Sequence, residues 1–289
     1  MSASASSGFI GRSIPRKEDR RLLTGGGRYV ADIELPNMAH VAFFRSPVAH
    51  ARLASVNVSA ASAVPGVLLA LSGADLLKVL PPVPDHQVSV PGKWKQAVNH
   101  SIKSPRQPLL AVDKARHVGE AIALVVAQDR YAAEDAAERV AVEFAPLPAV
   151  VDPESGLGPG APLIHEQFGT NVIGEFRVGK GDVATEFRNA PHTLGRRFKH
   201  HRYTGVPMEC RGAVADYDAR TDSVTIWSST QVVHWVRREV AGMLGMPEAR
   251  VRCIAPDVGG GFGVKGHVYP EDVIIAYLAR RLGRPVKWI

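Results

Sequence analysis

Residues 249–283 read ARVRCIAPDVGGGFGVKGHVYPEDVIIAYLARRLG. The apolar run at its start predicts a strand, and EDVIIAYLARRLG predicts a helix. Pro270 sits at a helix N1 position, Glu271 and Asp272 fall in the first turn, and Gly283 closes the end. Between strand and helix, glycine fills four of the five positions 259–263, with Phe262 the exception. A chain accepts that much loss of order where side chains would obstruct an approach.

The pattern extends in both directions. SVTIWSS (223–229) reads as a strand and TQVVHWVRREVAGMLG (230–245) as a helix, with Val232, Val236, Val240 and Met243 on one face. Gly245 stands at its C′ position and Pro247 follows. RPVKWI (284–289) opens another strand, with no partner following it in the sequence. In such β-α-β units the strand-to-helix loops sit at the carboxyl edge of the sheet, where ligands bind. If the two strands are parallel neighbours, Gln231 and the glycine loop flank one pocket. A glutamine amide offers a donor and an acceptor without charge, which suits an oxo or amide group better than a phosphate. Phe262 would add an apolar wall; the plainer alternative has Gln231 capping a helix and Phe262 packed in the core.

Two phosphate motifs fit poorly. Val264 precedes Lys265 and Gly266 follows it, so the P-loop sequence is absent. Gly261, Gly263 and Gly266 form a G-x-G-x-x-G, but HVYP separates the last glycine from the helix. A nucleotide-binding protein using these glycines stays open as an alternative.

The N-terminal half has a different rhythm. Residues 1–19 form a Ser/Ala/Gly-rich leader, expected to be flexible. RYVADIEL and MAHVAFFRS predict strands; ARLASVNVSAASAVPGVLLALSGADL predicts strand, short helix and strand, turning at Pro65 and Gly66. KWKQAVNHSIKSPRQP (93–108) reads as a surface loop, GEAIALVVAQ as a buried strand, DRYAAEDAAERV as a helix capped by Asp129, and AVEFAPLPAVVD as a strand. The Gly/Pro-dense stretch 148–162 is the predicted linker. Residues 193–229 read as long strands with DARTD as a hairpin turn. The expected class is α+β in two units, 20–147 and 163–289.

Composition narrows the function classes. Apolar residues make up 45% and charged residues 22%, a globular balance. The net charge of +7 is spread thinly, and the densest cluster, RKEDRR, contains two acids, so nucleic acid is not an expected partner. Cys210 and Cys253 form no CxxC, which excludes iron–sulfur and zinc frameworks of that kind and suits a reducing, cytoplasmic compartment. No apolar run reaches the length of a membrane span.

Several ordered motifs together carry a resemblance: IPRKEDRRLLTGGGRYVADIELPNMAHVAFFRSPVAHARL, GEAIALVVAQDRYAAEDAAERVAVEFAPLPAVVDPESGL, VPMECRGAVADYD, STQ, GGGFGVKGHVYPED and GRPVKWI. The chain resembles the N-terminal portion of the large, molybdenum-binding subunit of the xanthine dehydrogenase/aldehyde oxidase family of molybdenum hydroxylases. Within it, the chain is most similar to the carbon-monoxide-dehydrogenase-like and aldehyde-oxidase-like branch. The resemblance implies an α/β hammerhead domain over 20–147 and the start of a molybdopterin-binding domain from 163. It implies a molybdenum–molybdopterin cofactor in its cytosine dinucleotide form, approached by Gln231, Gly260, Gly261, Phe262 and Gly263. No protein side chain would ligate the metal, and His200 and His201 would be structural or exposed. It further implies hydroxylation of an aldehyde, N-heterocycle or related small carbon substrate, carbon monoxide included, with oxygen from water. Electrons would pass to an iron–sulfur small subunit and an FAD-binding medium subunit. The catalytic glutamate would lie beyond Ile289, in a C-terminal portion that completes the subunit.

Two departures qualify the resemblance. Gly266 follows the loop lysine where xanthine oxidases place an acid, which argues against a purine substrate, and Cys210 stands where relatives often carry proline. A noncatalytic assembly module, or a decayed remnant of such an enzyme, is the alternative of a different class.

Overall fold

The computed structural model describes residues 8–83, 99–103, 105, 107–177 and 179–289. Residues 1–7 of the expected leader and residues 93–98, 104 and 106 of the expected surface loop lie outside these. Twelve strands are described: Ala39–Arg45 (β1), Ala51–Asn57 (β2), Val67–Ser72 (β3), Asn99–Ile102 (β4), Lys114–Ala115 (β5), Ala121–Ala127 (β6), Ala141–Pro146 (β7), Gly174–Arg177 (β8), Ala213–Asp218 (β9), Ser223–Ser228 (β10), Val251–Ile254 (β11) and Val286–Trp288 (β12). The helices are Asp19–Leu23 (α1), Ser59–Ser62 (α2), Gly73–Leu77 (α3), Arg130–Ala137 (α4), Val183–Asn189 (α5), Val233–Met243 (α6) and Pro270–Leu282 (α7).

One mixed sheet runs in the order β11-β10-β9-β12-β1-β6-β3, with small sheets β5-β2-β7 and β4-β8 beside it. The large sheet joins both halves of the sequence. β12 lies inside it, antiparallel to β9 on one side and parallel to β1 on the other. β12 is therefore paired on both sides by strands that precede it in the sequence.

β6 shows why the sheet stands at the centre. Its sequence, AIALVVA, is apolar throughout because both faces are covered. Leu124 and Val126 join the core formed with Val236 and Val240 of α6 and Ile274, Ile275 and Leu278 of α7. Ala123 and Val125 point the other way, against Ala136 and Ala137 of α4. The Asp129 side chain accepts from the Ala132 N–H at 2.9 Å, the expected cap of α4. α7 begins at Pro270 and ends at Gly283 with φ 60°, as its end signals predict.

Three local expectations are corrected. RYVADIEL is not a strand: Val30–Asp32 form a 3-10 turn. The Lys287 ammonium donates to the carbonyls of Ala31 and Ile33 at 2.6 and 3.0 Å, which takes the acceptors a sheet ladder would use. Residues 99–102, read as loop, form β4 and pair antiparallel with β8. Residues 193–212, read as strands, carry no regular structure, and the ladder starts only at Ala213. The DARTD hairpin between β9 and β10 is as expected. α6 runs Val233–Met243, starting three residues later than read and leaving Val232 as its N-cap, while Val236, Val240 and Met243 are buried.

The junction between the two halves holds a buried ion cluster. Glu271, in the first turn of α7, accepts from Arg45 of β1 at 2.6 Å and from Arg211 at 3.1 and 3.3 Å. Arg211 stacks 3.8 Å from the Tyr269 ring centroid. Next to it, Asp272 accepts from Ser228 Oγ at 2.6 Å and from the Tyr269 N–H at 3.1 Å. Burial pushes the Asp272 carboxyl up to about 6, and the charge of Glu271 adds to the rise. A folded pKa above the unfolded value means stability present at low pH that is lost as pH rises through the folded pKa. Between about pH 4 and 6 the protein is expected to lose on the order of 2 kcal/mol relative to Asp272→Asn. Urea denaturation of both proteins across that range checks it; a constant difference would exclude the ionisation.

Candidate functional site

β10 and β11 pair in parallel, with Ile226 opposite Cys253. Their carboxyl ends therefore lie on one sheet edge, the condition under which Gln231 and the glycine loop meet. The Gly263 N–H donates to Gln231 Oε1 at 3.0 Å. That donor fixes the amide: Oε1 faces the Gly263 N–H, and Nε2 is left as a donor. The main chain repeats the link, since the Gln231 N–H donates to the Lys265 carbonyl at 2.9 Å.

Two glycines are explained by this contact. A Cβ on Gly261 would stand 2.6 Å from the Gln231 side chain, so any side chain there drives the glutamine out. Gly263 has φ +87°, and a Cβ on it would meet nothing within 4 Å: its outer side is open. Gly260 lies against Phe262, and Phe262 itself is 75% exposed with φ 49°. The core reading of Phe262 is thus corrected; the ring stands at the surface on a left-handed backbone, a strained conformation for a non-glycine residue. Cys253 is half-buried against the core, where burial pushes its thiol up to about 12.

Beneath the loop lies a polar cluster that motif reading missed. Glu209 Oε2 accepts from Lys265 Nζ at 2.8 Å, Ser229 Oγ at 2.6 Å and the Gly259 N–H at 2.7 Å. The Glu209 N–H donates to the Gly259 carbonyl at 3.1 Å. One carboxylate oxygen therefore ties the end of β10, the start of the loop and its far end together. Lys265 is 1% exposed and its partner 13%. Burial alone would raise the Glu209 carboxyl; the donors Lys265, Ser229 and Gly259 outweigh it and hold it below the usual carboxylate range. The sequence signal was a lysine inside a glycine loop that matched no phosphate motif. Lys265 faces inward, to a carboxylate, and not toward a ligand.

Asp257, at the start of the loop, is also structural. Arg21 grips it with a bidentate pair at 2.5 and 2.6 Å, and the Arg28 N–H donates to it at 2.7 Å. The guanidinium holds the Asp257 carboxyl down to about 2.

The upper face of the site therefore presents Gln231 Nε2, bare backbone at Gly260–Gly263 and the Phe262 ring. Those groups are donors and apolar surface. This is equipment for seating a group and orienting its polar edge. Among the described residues, no group of three His, Cys, Asp or Glu side chains converges as for a metal ion.

Residues 164–289 match the molybdopterin cofactor-binding domain, and residues 24–148 match the aldehyde oxidase and xanthine dehydrogenase a/b hammerhead domain. The chain belongs to the xanthine dehydrogenase/aldehyde oxidase family of molybdenum-binding large subunits. It is 39% identical to the nicotine 6-hydroxylase large subunit of Paenarthrobacter nicotinovorans, over 97% of this chain and 33% of that protein. It is 36% identical to the carbon monoxide dehydrogenase large chain of Hydrogenophaga pseudoflava, over 94% of this chain and 34% of the relative. Quinoline 2-oxidoreductase from Pseudomonas putida 86 superposes with a TM-score of 0.85 at 40% identity, covering 97% of this chain and 34% of that one. The chain spans about one third of the length of these relatives. Among the described residues, no helix is long and apolar enough to cross a membrane.

Proposed function

We propose that the chain forms part of the large subunit of a cytoplasmic molybdenum hydroxylase, with 148–162 linking a hammerhead unit to a cofactor unit. In this reading, Gln231 and Gly260–Gly263 line one side of the pocket for a molybdenum–molybdopterin cofactor in its cytosine dinucleotide form. The observation that carries it is the Gln231–Gly263 hydrogen bond at the carboxyl edge of the parallel β10–β11 pair. That bond leaves the amide Nε2 as a donor suited to an uncharged oxygen acceptor. The residues fit the group: Gly263 is open on its outer side, so bare backbone meets a large flat ligand without obstruction. When bound, the cofactor supplies a two-electron acceptor and the centre for oxygen transfer.

The substrate, an aldehyde, N-heterocycle or related small carbon compound such as carbon monoxide, gains oxygen from water and releases two electrons and two protons. Those electrons leave through an iron–sulfur subunit and an FAD subunit. This chain's residues seat and orient the group, and the proton-handling carboxylate belongs to polypeptide outside this chain. The test is molybdenum and pterin content of the assembled, purified large subunit. Wild type is expected to carry both. Gln231→Ala is expected to lower both by about tenfold or more with little change in melting temperature, and Gly263→Val, which forces a β-branched residue to φ +87°, is expected to lower both together with the melting temperature. A folded assembly with no molybdenum and no pterin would sink the proposal.

A further inference from the structure

A cavity of about 200 Å³ lies at the junction of the two halves. Phe43 of β1, Leu109, Pro270 and Ile274 of α7 give it apolar walls. Arg45, Arg211 and Glu271 also line it. A guanidinium carries five N–H donors. Among the described residues, Arg45 commits two of them, to the Gly119 carbonyl at 3.1 Å and to Glu271 at 2.6 Å. Arg211 commits two, both to Glu271, at 3.1 and 3.3 Å. Donors therefore remain on both arginines. Burial opposes the charge on Glu271, but Arg211 and Arg45 outweigh it and hold the carboxyl below its usual range. Two cations thus share one carboxylate, and the cluster keeps one positive charge in excess.

Aromatic rings hold both guanidinium groups in place. Arg211 lies over Tyr269, and Arg45 lies 5.2 and 5.8 Å from the Phe43 and Trp288 ring centroids. Groups ordered before a ligand arrives cost less to order on binding. Glu120 lines the same cavity, and its Oε2 accepts from the Arg116 N–H at 2.5 Å. A ligand bearing a second negative charge would meet Glu120, which selects against phosphate and dicarboxylates.

We propose that this cavity binds a small monocarboxylate with an apolar body, its oxygens on the spare N–H groups of Arg45 and Arg211 and its body against Phe43, Leu109 and Ile274. The planar guanidinium matches a carboxylate in geometry as well as in charge. The volume admits on the order of ten non-hydrogen atoms, the size of benzoate. The site goes beyond the cofactor reading and does not depend on it, since no residue of the 259–263 loop lines the cavity.

The test is calorimetric titration of the full 289-residue chain with benzoate, and with benzamide as its uncharged isostere. Saturable binding of benzoate is expected with a dissociation constant of about 1 mM or tighter. Benzamide is expected to bind about tenfold or more weakly. Arg45→Lys keeps a cation beside Glu271 but loses the planar fork, and is expected to weaken benzoate about tenfold. Ala121→Leu fills the cavity from the start of β6 and is expected to abolish binding, with melting at or above the wild-type temperature. Inorganic phosphate is expected not to compete. No saturable binding of benzoate up to about 10 mM overturns the site. Equal affinity for benzamide and benzoate, or competition by phosphate, overturns the ligand class. Benzoate affinity that neither variant changes places the acid elsewhere on the chain and overturns the proposal as well.

Discussion

Lys265→Met is expected to destabilise the protein by about 3 kcal/mol or more, because it leaves Glu209 charged and buried without its cation. The effect is large for a geometric reason. Glu209 Oε2 is the shared acceptor of Lys265, Ser229 and Gly259, so losing the ammonium loosens both ends of the glycine loop at once. The pH dependence identifies the cause. In the wild type the Glu209 carboxyl is held low, so its contribution is present above the unfolded pKa and is lost as pH falls through the folded one. In Lys265→Met, burial is left with weaker opposition and the carboxyl rises. The variant then gains stability relative to wild type on acidification. Glu209→Gln combined with Lys265→Met removes both charges and is expected to recover most of the loss. Urea denaturation at two pH values reads all three proteins. A double variant as unstable as Lys265→Met would show that packing, not charge, holds the loop.

Glu271→Ala is the second large effect, about 2–3 kcal/mol, because it strands Arg45 and Arg211 at the junction of the halves. Glu271 is 5% exposed, whereas the arginines keep 33% and 27% of their side chains in contact with solvent, which moderates the cost. The stacking of Arg211 on Tyr269 survives the change, so the residual junction is not empty. The measurement is a double-mutant cycle with Arg45→Met. A coupling of about 1 kcal/mol or more is expected between residues 226 positions apart. Additive effects would mean that the junction does not depend on this pair.

Much of the local structure was legible. α7 follows from Pro270, its acidic first turn and Gly283, all short-range signals of the chain itself. The meeting of Gln231 with the loop followed once β10 and β11 were taken as parallel. The exposed stretch 193–203 shows the limit. It reads as part of a long strand, but a strand needs a ladder partner, and no described residue supplies one.

By itself, then, the sequence determined the β-α-β order around the glycine loop, the ends of its helices and the family motifs, because capping, periodicity and glycine placement act over a few residues. The tertiary structure decided the rest. It slotted β12 between β9 and β1, turned Lys265 inward to a carboxylate 56 positions away and drew the Lys287 ammonium onto the carbonyls of Ala31 and Ile33. These pairings obey no period. They arise where distant segments must satisfy each other's buried charges and backbone groups, and only the folded chain brings those groups within reach.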